Sequence, residues 1–110
     1  MAAKYHVLGS GEAFRFNLKA GNGEIILTSE SYQSKSAALN GIESCKKSAA
    51  DDARYDRRIA KNEQPYFVLK AGNGEIIGKS EMYSGNAAME NGIASVKKNG
   101  PDAEIDDDTQ

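Results

Sequence analysis

Residues 16–32 read FNLKAGNGEIILTSESY and residues 67–83 read FVLKAGNGEIIGKSEMY, one string met twice at an offset of 51. Further along, NGIESCKK at 40–47 returns as NGIASVKK at 91–98, still without a gap. From 16–51 to 67–102, 21 of 36 positions are identical, more than shared amphipathic patterning produces, so the chain is a tandem duplication. Solenoids are built from three or more units. Two copies instead complete each other in a closed, roughly two-fold arrangement, like a homodimer fused into one chain. The expected units are about 5–55 and 56–106, together one domain over 1–110, with 107–110 an acidic, frayed tail.

Each copy opens with alternation. Phe14, Phe16 and Leu18 point one way and Arg15, Asn17 and Lys19 the other, as in a half-buried strand; Phe67 and Leu69 repeat the pattern. AGNG follows at 20–23 and 71–74, and Asn-Gly between apolar runs predicts a hairpin with a type I′ turn, both residues tolerating positive φ. Lys19 with Glu24, and Lys70 with Glu75, flank these turns and are expected to pair across them. The return strands, about 24–31 and 75–82, carry Ile25–Ile26 and Ile76–Ile77, whose inward member depends on loop length. Residues 5–8 and 54–59 are further strand candidates.

Helical spacing comes next. It starts at Gln33 or Ser34 in the first copy and Ser84 or Gly85 in the second, with Ser and Gly acceptable N-caps. Ala38, Gly41, Ile42 and Cys45 fall at i, i+3, i+4 and i+7, matched by Met89, Gly92, Ile93 and Val96. A mid-helix glycine costs about 1 kcal/mol relative to alanine. Its presence in both copies calls for an offsetting close approach of helix to sheet. Gly100–Pro101 punctuates the end of the second helix. The fold class is therefore α+β, a duplicated β-β-β-α(-β) unit giving one antiparallel sheet with two helices packed on it.

Composition excludes several classes of function. The longest run of large apolar residues is Ile25, Ile26 and Leu27, far short of the ~20 a membrane helix needs, and the N-terminus lacks an apolar signal segment, so a cytoplasmic protein with no membrane partner is expected. One Cys and one His supply neither an internal disulfide nor a Cys/His zinc site, and no cofactor or metal is expected. Five of the sixteen acids lie at 102–108, leaving fourteen basic against eleven acidic residues before them, a mild charge of about +3.

The strings F-x-L-K-A-G-N-G-E-I-I, S-E-x-Y and N-G-I-x-S-x-K-K, each present twice, resemble the YegP-like family of small bacterial proteins, whose members are uncharacterised. The resemblance spans about 5–105. It implies units of three strands, a helix and a final strand that form a single sheet and exchange terminal strands. That would make 54–59 a shared or swapped central strand and 103–106 its short C-terminal equivalent. The family brings no catalytic or ligand-binding residues with it.

Read as chemistry, AGNG is a hairpin and not a phosphate loop, since it leads into a strand and lacks the Gly-Lys-Ser/Thr ending. Lys46, Lys47, Lys97 and Lys98 lie near helix C-termini, where they complement the macrodipole or hold an anion. Arg57 and Arg58, with Lys61 beside them, form a second basic cluster, and Tyr32, Tyr55, Tyr66 and Tyr83 offer stacking faces if exposed on the sheet. Cys45 reads as a small buried hydrophobe. Ser29, Glu30, Ser80 and Glu81 are duplicated, but His6 is the lone imidazole, so an enzyme requires His6 or Glu30 and Glu81 to converge in a pocket. The expectation is a non-catalytic binding or interaction module whose partner the sequence leaves open, a protein being one candidate, and a monomer because the duplication mimics a dimer. The alternative is weak nucleic-acid or polyanion binding through the basic and tyrosine residues.

Overall fold

The alternating runs form strands and the two apolar stripes form helices. The computed structural model describes residues 3–10 and 13–109. In chain order it contains β1 (Lys4–Ser10), β2 (Ala13–Lys19), β3 (Ile25–Ser29), α1 (Lys35–Ser48), a 3₁₀ turn (Asp52–Arg54), β4 (Tyr55–Ile59), β5 (Pro65–Lys70), β6 (Ile76–Lys79), α2 (Asn86–Asn99) and β7 (Glu104–Thr109). One seven-stranded sheet has the order β4-β5-β6-β3-β2-β1-β7. Both helices cover one face. The other face is largely polar: paired side chains run across the strands as Asp106, His6, Asn17, Thr28, Lys79, Val68 and Asp56, with Val68 the one apolar member of this row.

The two copies meet where β3 and β6 pair antiparallel, Thr28 opposite Lys79, which are counterparts at the 51-residue offset. The pseudo-two-fold axis passes there. Phe16, Leu18 and Leu27 of one copy and Phe67, Leu69 and Ile77 of the other share a single core with Ile42, Cys45, Ile93 and Val96 of the helices. Ile26 and Ile77 are the inward members of their pairs, while Ile25 is 44% exposed.

A reciprocal pair of tyrosines ties the copies together. Tyr55 donates to the Ala49 carbonyl at the end of α1, and Tyr5 donates to the Gly100 carbonyl at the end of α2, each at 2.6 Å. Ala49 and Gly100 are counterparts, and each tyrosine packs edge-on against Phe16 or Phe67. Lys46 and Lys97, counterparts again, sit over the two rings at 6.0 and 5.7 Å. Cys45 Sγ lies 3.4 Å from the Tyr5 hydroxyl, and burial pushes its thiol up to about 11.

Burial likewise holds both phenols well above the ordinary tyrosine value, with smaller contributions from Cys45 in each case. A group with a raised folded pKa stabilises the native state below its unfolded pKa and loses that contribution as pH rises. Stability should therefore fall from about pH 10 upward. Tyr5→Phe and Tyr55→Phe are each expected to lower stability by about 1.5 kcal/mol at neutral pH, because a buried carbonyl loses its donor. Each should also flatten the alkaline decline. Denaturant titrations between neutral and alkaline pH check both.

Four expectations need correction. The sheet is mixed, because β7 runs parallel to β1, Lys4 opposite Glu104 through Gly9 opposite Thr109. Hairpin signals describe sequential neighbours, whereas β7 returns from α2 to a strand at the far end of the chain. The strand at 54–59 is β4, which among the described residues is an edge strand paired only with β5, and not a central one. The acidic segment is paired through Thr109 and not frayed at 107, with Lys35 on Asp107 and His6 Nε2 3.3 Å from Asp108; Gln110 lies outside the described residues. Finally, the AGNG turns are not type I′: only Gly23 and Gly74 have positive φ, 86° and 88°. Ala20 and Ala71 close three-residue loops with Glu24 and Glu75, and the register slips by one residue beside each. This is a type I turn with a glycine bulge.

Of the charges flanking the turns, Lys70 reaches Asp56 at 3.4 Å. Both expected helix starts are seen, with Ser34 Oγ accepting from Ala37 N–H at 3.0 Å and Gly85 capping α2 without a side chain.

Candidate functional site

The basic and aromatic residues singled out in the sequence are spread over several places. Tyr32 and Tyr83 lie on the helix side, stacked on Phe16 and Phe67 with ring centroids 6.3 Å apart. Their hydroxyl ends rest against the mid-helix glycines, where a Cβ on Gly41 or Gly92 would fall 2.7 Å from the Cζ of Tyr32 or Tyr83. These rings are wedges, which explains the two glycines; each is half-buried and gives one face to a phenylalanine. The helix-to-sheet approach is thus made by tyrosine side chains standing between the layers.

Arg57 is absorbed into an ion cluster at the helix-side end of β4. It binds Glu90 of α2 at 2.6 and 3.0 Å and Asp52 at 3.0 Å, and Lys97 meets the same Asp52 oxygen at 2.6 Å. Hydrogen bonds from Lys97 and Arg57 hold the Asp52 carboxyl below the usual range, and Arg57 does the same for Glu90. Lys46 covers Tyr5, while Lys47 and Lys98 are exposed on α1 and α2. Arg58 turns to the helix-free face, where Asp56 holds it at 2.9–3.0 Å, with Lys61 nearby.

The duplicated serines are structural. Ser29 and Ser80 Oγ accept from the N–H of Phe16 and Phe67 at 2.8 and 3.0 Å and donate to the carbonyls of Glu30 and Glu81. Glu30 and Glu81 both line the groove described next, but His6 lies on β1 with Asp108 as its neighbour, so the three do not converge.

On the helix-free face at the β4 end, a groove of about 680 Å³ opens over β5 and β6. Val68, Ile76 and Met82 form its apolar parts; Arg58, Lys61 and Lys79 bring positive charge, and Glu30 and Glu81 negative charge. Met82 is 53% exposed, and Tyr66 stands beside Arg58. The groove exists because PYFVLK alternates: Phe67 and Leu69 go to the core while Tyr66, Val68 and Lys70 go to the open face. That same alternation was the sequence signal for Tyr66 and Val68, and the Lys79 pairing with Val68 depends on register. No group of three or more His, Cys, Asp or Glu able to hold a metal occurs among the described residues. Nor, among them, is any helix long and apolar enough to cross a membrane.

Comparison with known proteins agrees with the duplicated architecture. The family model "Domain of unknown function (DUF1508)" matches twice, at residues 10–56 and 60–107. A UPF0339 protein of Bordetella pertussis is 54% identical over 110 residues, covering 100% of this chain and 99% of the relative. A UPF0339 protein of Shewanella oneidensis is 56% identical over 98 residues, 89% of each. A solution structure of a Shewanella oneidensis UPF0339 protein superposes with a TM-score of 0.91 at 53% identity, covering 99% of this chain and 93% of that one. The Escherichia coli protein of unknown function yegP gives 0.92 at 47% identity, with coverages of 99% and 95%.

Proposed function

The chain belongs to the DUF1508 family, whose relatives carry no assigned function, and we propose that it is a non-catalytic binding module holding an extended segment of a partner protein in the groove over β5 and β6. The observation that carries this reading is the lining. An apolar strip of Val68, Ile76 and Met82 is flanked by charges of both signs, which suits a peptide with alternating apolar and charged side chains. The ion cluster around Asp52 and the inward turn of Tyr32 and Tyr83 support a protein segment over a nucleic acid, since they occupy groups that phosphate and base contacts would use.

The second reading, a polyanion, is favoured by one specific feature, the placing of Arg58, Lys61 and Lys79 around one groove. A chemical-shift titration against peptides, oligonucleotides and small anions separates the two. The peptide reading expects shifts centred on Tyr66, Val68, Lys79 and Met82. Met82→Ala should weaken binding about tenfold, ~1.4 kcal/mol, with little dependence on salt. A polyanion would be indifferent to Met82→Ala, lose affinity with Lys61→Ala and Lys79→Ala, and fall with salt at a log-log slope of about −0.9 per phosphate contact on duplex. Shifts confined to other surfaces would end both readings.

A further inference from the structure

The edges of the sheet are not treated alike. β1 and β4 are structural counterparts: Tyr5 and Tyr55 both reach a helix-end carbonyl, and each strand pairs antiparallel with the next, Tyr5 opposite Leu18 and Tyr55 opposite Leu69. The outer edge of β1 is covered by β7, while among the described residues no strand lies beyond β4. The backbone groups at that edge are identifiable. Phe67 turns its N–H and C=O to Ser80, so Arg57, its opposite residue, turns its own away from β5, and Ala60 N–H pairs inward with Gln64. The outward set is therefore the N–H of Arg57 and Ile59 and the carbonyls of Tyr55, Arg57 and Ile59. Tyr55 N–H is taken by Asp52.

We infer that the β4 edge pairs antiparallel with the β4 edge of a second copy of this chain, joining two sheets into one across a two-fold axis at Arg57. Charge complementarity of the edge with itself points to a second copy and sets the register. With Arg57 opposite Arg57, Asp56 stands opposite Arg58 on the helix-free face, twice by symmetry, and Tyr55 stands opposite Ile59, which is 64% exposed in the single chain. The two neighbouring registers that keep outward groups facing each other set Asp56 against Asp56 or Arg58 against Arg58. The like pair at the axis is compensated, since each Arg57 is held by Glu90 and Asp52. A strand resembling β7 is the competing occupant: in the β7 register its acids would face Arg57 and Arg58 as well as Asp56, the counterpart of His6, whereas the second copy sets Asp56 against Arg58 twice with no uncompensated like pair. Charges on an edge ordinarily block pairing; these are arranged to match themselves. Fusion of the copies satisfied the β3–β6 seam and the β1 edge but left β4 open.

A five-residue edge makes a weak contact, so the test is a concentration series of the intact chain, micromolar to millimolar, by sedimentation and NMR diffusion. The mean mass is expected to rise from 11.8 kDa toward twice that value, with the Arg57 and Ile59 amides shifting in step. Asp56→Arg and Arg58→Asp should each weaken association about tenfold or more, and the double exchange should restore it. A monomer mass and unshifted amides throughout would overturn the inference. So would a double variant no better than the singles, or amide shifts produced by a peptide of the β7 sequence while the chain stays monomeric. The wild-type amide shifts decide the matter even if a single variant folds poorly. Failure here leaves the groove titration untouched, because it reads Tyr66, Val68 and Met82 rather than the edge amides.

Discussion

Gly78→Ala is expected to destabilise the protein by about 3 kcal/mol, the upper part of the range for overpacking. The position lies on β6 beside the seam between the copies, opposite Ser29. A Cβ there would fall 2.6 Å from the Thr28 carbonyl oxygen, 3.1 Å from its carbon and 3.2 Å from Leu27 Cγ. The carbonyl belongs to the neighbouring strand of the same sheet and cannot rotate away, so relief requires the seam to shift. Gly78 is the counterpart of Leu27, which is fully buried. The copies have thus diverged at one equivalent position to a large residue and an absent one. Leu27→Ala should cost about 3 kcal/mol for the opposite reason, a cavity. Urea titration of both variants gives the comparison, and a Gly78→Ala loss under about 1 kcal/mol would mean that the seam is slack.

The second large effect is expected at the helix ends. A Cβ on Gly100 would stand 2.6 Å from Ala49 Cβ and 2.8 Å from the Val96 carbonyl oxygen, near the Tyr5 hydroxyl at 3.3 Å. Gly100 has φ −58°, an ordinary helical value, so glycine is required there by proximity and not by backbone conformation. Gly100→Ala should cost about 2–3 kcal/mol, since both atoms are fixed by the backbone. Ala49→Gly removes one of them. Because Ala49 and Gly100 are counterparts, the exchanged pair Ala49→Gly with Gly100→Ala should recover about 1 kcal/mol or more of the loss, a coupling that a double-mutant cycle measures directly. Additive losses would place the two helix ends out of contact.

Much of this architecture was legible because duplication repeats each signal. The hairpins, the helix starts at Ser34 and Gly85, and the mid-helix glycines each stand twice in the sequence. What escaped reading depends on contacts between distant segments. Nothing local in EIDDDT announces a parallel partner at 4–9. The equivalence of Tyr5 and Tyr55 was hidden by one residue. Two residues separate paired Ser10 and Ala13, but three separate Ala60 and Gln64, so the offset is 50 before the turn and 51 after it. That longer turn repeats the AGNGE geometry as AKNEQ: Asn62 Oδ1 accepts from Gln64 N–H at 3.1 Å, and Glu63 takes the positive φ, 68°, that glycine holds elsewhere. The nominated site residues were placed by charge and ring type alone. Face and register then assigned Arg57 and Lys97 to an internal ion cluster and Tyr32 and Tyr83 to the layer beneath the helices. Lys61 and Arg58 reach the groove, with Lys79 added by strand pairing.

Separating the chain between Asp52 and Ala53 tests most directly whether each half supplies what the other lacks. Alone, each fragment should give the NMR spectrum of an unfolded chain. Two first halves set Leu27 where only glycine fits, two second halves leave that space empty, and each lacks the tyrosine donor for its own helix end. Mixed in equal amounts, the fragments should regain the dispersed spectrum of the intact protein. Cooperative unfolding of either fragment as a lone monomer would contradict this account.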